Sequence, residues 1–147
     1  MIQIKLHPQA FDPLASLQAF QNQAPFRAAS YGANAIFIGT MRDFNEGDEV
    51  VAMHLEHYAG MTERQLHDLT QQVVEQYPVD HVLIEHRVGD IVPADPIVVV
   101  AVWSAHRKLA FAACRELMEA LKRDAPFWKH EVLADGSKRW VEHNTAG

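Results

Sequence analysis

The sequence has little cysteine, few cations and no long apolar run. Cys114 is its one cysteine, which excludes an internal disulfide framework and any cysteine-pair metal motif. Its 13 Lys+Arg are outnumbered by 19 Asp+Glu, for a net charge of −6. An acidic chain is a poor general binder of nucleic acid or anionic membrane, and neither is expected as a partner. The longest apolar run, "IVVVAVW" at 97–103, is far too short to span a bilayer. The opening "MIQIKLHPQAF" lacks the basic-then-apolar order of a signal peptide, so a cytoplasmic protein is expected. There is no HExxH, no Gly-rich phosphate loop and no dinucleotide fingerprint. His54 and His57 are three apart on an expected strand and so point to opposite faces. No metal and no cofactor are expected.

What is present is enough for one packed domain over residues 1–147. The apolar fraction is 48%, well clear of disordered composition. "IQIKL" alternates as a short strand. Asp12 then Pro13 starts a helix, with Leu14, Leu17 and Phe20 on one face. "ANAIFIGT" at 33–40 is β-leaning, "MRDFNEGDE" at 41–49 reads as a loop, and 50–58 alternates with Val51, Met53, Leu55 and His57 on one face. Thr62 and Gln65 fit a capping box, with Met61 and Leu66 as a staple across it. Val82, Ile84 and His86 share a strand face, "DIVPADP" turns the chain, and "IVVVAVW" reads as a central strand. Ser104 can cap the last helix, whose buried stripe is Ala110, Ala113, Cys114, Leu117 and Leu121. Pro126 stops that helix, and Asp135-Gly136 turns a small C-terminal hairpin. The element order predicts α+β with a mixed or antiparallel sheet.

Charge is uneven. Residues 105–129 hold six Lys/Arg and three Asp/Glu, a basic segment in an acidic protein. "SAHRK" at 104–108 places His106 and Arg107 in a helix's first turn. That end disfavours cations but suits an anion, because free N–H groups point outward and Arg107 adds a bidentate fork. Solvent-exposed side chains at a small cost are the plainer account. Arg42 opens the polar loop after a strand, a common place for binding groups, and equally for a surface ion pair with Asp43. Lys122 sits on the wet helix face and reads as ordinary surface charge. Lys129 follows Pro126, Phe127 and Trp128, which should hold it partly desolvated and lower its pKa. Cys114, on the apolar stripe, reads as a buried inert thiol.

Four separated blocks, "GANAIFIGTMRDFNEGDEV", "LEHYAGMTE", "HRVGDIVPADPIVVVAVWSAHRKLAFAACRELMEALK" and "APFWKHE…WVE", resemble the large, catalytic subunit family of molybdopterin synthase. The resemblance runs from about residue 31 almost to the end. It implies an α/β hammerhead-like fold, a homodimer at the centre of a heterotetramer, and a small ubiquitin-like subunit at each end. That partner's Gly-Gly terminus, carried as a thiocarboxylate, gives sulfur to cyclic pyranopterin monophosphate, and two rounds build the molybdopterin dithiolene. By the same resemblance Lys122 and Lys129 are catalytic, while Arg42, His106 and Arg107 bind substrate. Family tails beyond "WVE" carry basic residues that reach a neighbouring pocket; here "HNTAG" offers His143, with Arg139 before it. The competing class is a non-catalytic module for a phosphorylated metabolite or a partner's C-terminus. Catalysis predicts Lys122, Lys129, His106 and Arg107 around one pocket; the module predicts the lysines turned away from the other two.

Overall fold

The computed structural model describes residues 1–23, 25–124 and 126–141. Two sheets form it. In the larger, the strand order is β1 (Ile2–His7), β5 (His81–Arg87), β7 (Pro96–Ser104), β2 (Ala33–Thr40). β1 runs parallel to β5, and the other pairings are antiparallel. The smaller sheet runs β3 (Phe44–Asn45), β4 (Asp48–Glu56), β8 (Trp128–Leu133), β9 (Lys138–Val141), with β6 (Gly89–Ile91) also on β4. The mixed and antiparallel α+β architecture matches the expectation, as does the hairpin turning at Gly136, whose φ is +85.

Helix α3 (Arg107–Asp124) and helix α2 (Met61–Gln76) cover one face of the larger sheet. α3 buries Ala110, Ala113, Cys114, Leu117, Ala120 and Leu121, the stripe its periodicity predicts, against Val82, Ile84, Val98, Val100 and Val102. A fully buried leucine such as Leu117 contributes about 2–3 kcal/mol through removal of apolar surface from water. α1 (Pro13–Gln21) covers the other face beside β5 and β7, with Leu17 and Phe20 against Leu83, Val99, Ala101 and Trp103. Its Asp12 cap forms as expected, Leu14 N–H donating to Oδ1 at 3.0 Å. Leu14 itself is 67% exposed, because the helix turns Pro13 inward with Leu17 and Phe20 and leaves Leu14 beside the buried stripe. Among the described residues no helix is long and apolar enough to cross a membrane.

Four local expectations need correction. β7 continues through Ser104, which is buried and pairs with Ala33, so Ser104 does not cap α3. The helix instead starts on the His106 carbonyl, which accepts from Ala110 N–H at 3.3 Å. The start of α3 is held tightly, since a Cβ on Gly32 would lie 2.6 Å from the Ala105 carbonyl oxygen. In α2 the box sits earlier than Thr62 and Gln65. Glu63 Oε2 accepts from Gly60 N–H at 2.5 Å, and Thr62 Oγ1 accepts from Tyr58 N–H at 3.1 Å; Met61 is exposed and makes no staple. The register of β4 on β8 slips between Val50 and Ala52. This bulge turns Val51 outward and Val50 inward, breaking the alternation. Finally, "DFNEGD" is a tight hairpin rather than a loop. Glu46 and Gly47 both take positive φ, the two-residue turn that matches strand twist.

Candidate active site

A cavity of about 250 Å³ opens where the two sheets meet the C-terminal end of α3. β2 contributes Phe37, Gly39 and Thr40, the β4 strand Met53 and Leu55, and β5 His86. α3 contributes Met118, Leu121 and Lys122, and the segment entering β8 contributes Phe127 and Lys129. Lys122 is four residues after Met118, on the same helix face, so the seam that reads as wet surface by periodicity is the cavity wall. Pro126 ends the helix, and β8 then runs beside β4 with Lys129 opposite Leu55. The two lysines expected to be catalytic therefore meet at one cavity.

Lys129 is held down from the usual lysine range, first by burial, then by the positive charges of Lys122, Arg42 and Arg139; Glu131 works in the opposite direction. Glu131 is 3% exposed. Its carboxylate accepts from Asn45 Nδ2 at 3.1 and 3.2 Å and from Arg139 Nε at 3.0 Å, and lies 4.0 Å from Lys129 Nζ. Arg139 also reaches Asp48 Oδ2 at 2.9 Å and the Asn45 carbonyl at 3.0 Å. Arg42 belongs to the same electrostatic field. Its guanidinium stands 4.8 Å over the Phe44 ring. The preceding Met41 is fixed by exchange with the 94–95 turn, N–H to Asp95 O at 2.9 Å and Ala94 N–H back to its own carbonyl at 2.9 Å. The result is a cavity with cationic groups on one side and an apolar floor, suited to an anion carried on an organic body.

His86, expected on a strand, is also a wall residue of the cavity. Its ring stacks on Phe127 at 4.3 Å. Nδ1–H donates to the Arg87 carbonyl at 2.7 Å, which leaves Nε2 as a bare acceptor. Burial, chiefly, and the charge of Lys122 push its pKa down to about 4, against the Arg87 hydrogen bond. The signal was present: Val82, Ile84 and His86 alternate, and the first two pack under α3. The unfolded chain takes up a proton near 6.5 while the folded chain resists until about 4. Stability is thus full above pH 6.5 and falls as pH drops toward 4, by up to about 3 kcal/mol. His86→Phe keeps the stack and removes the titration. Urea denaturation between pH 7 and 4.5 should show a flatter stability curve for His86→Phe than for the native chain; parallel curves would contradict this.

His106 and Arg107 are not at this cavity. They are exposed at the start of α3, and the helix rise carries Arg107 roughly 22 Å along the axis from Lys122. The expectation that all four residues converge fails within one chain for that reason. Arg139 serves the Glu131 network, and His143 lies outside the described residues. Cys114 is buried with its thiol pushed up to about 11 by that burial.

An α+β protein with a two-lysine, anion-suited cavity between a mixed sheet and a small antiparallel one is a defined class, and comparison places it. The family model "MoaE protein" matches residues 8–124, and the chain belongs to that family. It is 45% identical over 139 residues to the molybdopterin synthase catalytic subunit of Pseudomonas aeruginosa, covering 95% of this chain and 89% of that one. The fold is similar to the molybdopterin biosynthesis MoaE protein of Burkholderia ambifaria, with TM-score 0.79, 41% identity, and 100% and 93% of the two chains covered. It is also similar to molybdopterin synthase of Staphylococcus aureus, with TM-score 0.80, 27% identity, and 94% and 96% covered.

Proposed function

We propose that this chain is the catalytic subunit of a molybdopterin synthase, a single sulfurtransferase domain over residues 1–147 working in the cytoplasm. It takes sulfur from the C-terminal thiocarboxylate of a small ubiquitin-like subunit and places it on cyclic pyranopterin monophosphate to form the dithiolene. The observation that carries this reading is the meeting of Lys122 and Lys129 at one cavity in a chain of this family.

The chemistry follows from the groups present. The thiocarboxylate sulfur attacks a substrate carbon, and the oxygen it displaces leaves with a proton. Lys129, its pKa lowered, is the acid that supplies it. The acyl group now on sulfur passes to water, leaving a carboxylate on the carrier and a thiolate on the product. Lys122 orients the anionic tail or holds its acyl carbon briefly as an amide. Sulfur must arrive on a partner, because the single thiol of this chain is buried and protonated at neutral pH.

A second copy supplies what one chain separates. β2 is an edge strand whose Ile36, Phe37 and Ile38 are exposed, a ready template for strand pairing. Antiparallel pairing of two β2 edges about a two-fold axis sets the Thr40 end of one copy against the Ala33 end of the other. Ala33 pairs with Ser104, so the second copy's His106 and Arg107 come beside the first copy's Thr40 and Arg42. There they bind the substrate's phosphate together with Arg42.

Separation of His106 and Arg107 from the lysines is the one observation favouring a non-catalytic binding module. Reconstitution decides between the two. The chain, a thiocarboxylated small subunit and cyclic pyranopterin monophosphate should yield dithiolene product, detected by mass spectrometry. Tight partner binding without product would establish the module instead.

A further inference from the structure

The smaller sheet has a second face. Along β4, β8 and β9 the alternation that sends Leu55 and Lys129 toward the cavity sends Glu56, Trp128 and Trp140 the other way. No helix or strand covers this face among the described residues, so polar side chains are expected on it. It carries instead two tryptophans exposed by 46% and 55%, and beside them Tyr58, exposed by 61%. Tyr58 stands edge-on to Trp128 at 5.1 Å. With Glu56 and His57 these rings line a cleft of about 310 Å³.

Two properties of the cleft point to one kind of occupant. Ring faces carry negative quadrupole potential and attract a cation held within about 6 Å. Glu56 adds a full negative charge and forms no ion pair among the described residues. A guanidinium or ammonium satisfies both at once, and an anion satisfies neither. Exposed Trp and Tyr in a pocket are also the residues that anchor protein interfaces, with Arg their frequent counterpart. The source of the cation follows from position. Trp128 precedes Lys129, and Glu56 follows Leu55, so the cleft begins one residue from the cavity on both strands. Outside 105–129 this chain carries a charge of −9, which favours a basic contact surface on whatever docks there.

We propose that this aromatic cleft receives an arginine or lysine side chain of the small sulfur-carrying subunit, anchoring its body while its tail lies in the cavity. This rests on the function proposed above. Calorimetry of the complex should show the small subunit's Kd weakened about 10-fold by Glu56→Gln and by Trp140→Ala, with kcat at saturating partner unchanged. Unchanged Kd in both variants overturns the proposal. So does a loss of self-association in place of small-subunit affinity, which would assign the cleft to a second copy. A separate titration with N-acetyl-argininamide, followed through indole N–H resonances, should move Trp128 and Trp140 and leave the buried Trp103 in place, while the neutral citrulline analogue moves none. Failure of the charged probe to move the exposed indoles overturns the cleft as a cation site even if reconstitution succeeds. Failure of the native chain to bind the small subunit, with the probe result intact, falls on the parent reading alone.

Discussion

Lys129→Ala is expected to slow single-turnover sulfur transfer by about 10²–10⁴-fold, with small-subunit binding retained. The range is that of losing a positioned acid. The surroundings of Lys129 make it a proton donor rather than a surface charge. Burial and three neighbouring cations favour its neutral form, and Glu131 restrains that shift. An amine so placed gives up its proton to a departing oxygen more readily than an ordinary lysine. The acid must be protonated to act, so the rate should fall on an alkaline limb that begins below the usual lysine value of 10.5. Lys122→Ala removes one of the cations that lower Lys129, so in that variant the remaining activity should keep its plateau to higher pH. An unchanged limb in Lys122→Ala, or a Lys129→Ala enzyme within a few-fold of native, would show that the proton comes from elsewhere. The acyl-holding role of Lys122 has its own check, mass spectrometry of the chain with its thiocarboxylated partner. An adduct that survives Lys122→Ala on another residue would remove that role.

Glu131→Ala should be the most destabilising single change at the site, by about 3–5 kcal/mol in urea denaturation. Truncating one partner of a buried charge cluster leaves the others uncompensated. Here the carboxylate accepts from Asn45 on the β3–β4 hairpin and from Arg139 on β9, and lies near Lys129 on its own strand. Removing it releases three elements together. Glu131→Gln keeps part of the hydrogen bonding and should cost less, yet it still withdraws a negative charge that raises Lys129. Its alkaline limb should therefore move to lower pH, opposite to Lys122→Ala. A Glu131→Ala chain that unfolds within about 0.5 kcal/mol of native would place the anchor of the hairpin elsewhere.

The fold was legible wherever local chemistry decides structure. Asp12-Pro13 starts α1, the apolar stripe of α3 is buried, and Gly136 turns the last hairpin, because a cap, a helical period and a positive φ are each written in a few adjacent residues. The outward turn of Val51 is not legible, because a bulge shifts the face without leaving a sequence mark. The role of Ser104 is not legible either, because its pairing with Ala33 outcompetes capping. At the site, the physical case for Lys129 came from Phe127 and Trp128 beside it. Lys122 could not be told from surface charge, since the wall opposite it is built by β2 and β5, far away in sequence. Glu131 shares a strand face with Lys129 at a spacing of two, but its partners Asn45 and Arg139 are visible only in three dimensions.

The active site is shared: the lysines of one copy work with the helix start of another. Lys129→Ala and Arg107→Ala chains, each inactive alone, should be mixed, dissociated and reassociated, and their dithiolene formation measured. Random reassortment makes half of the dimers mixed, and each mixed dimer holds one intact site. Recovery to about one quarter of native activity is predicted for a two-fold dimer. No recovery, from chains shown to exchange, would contradict it.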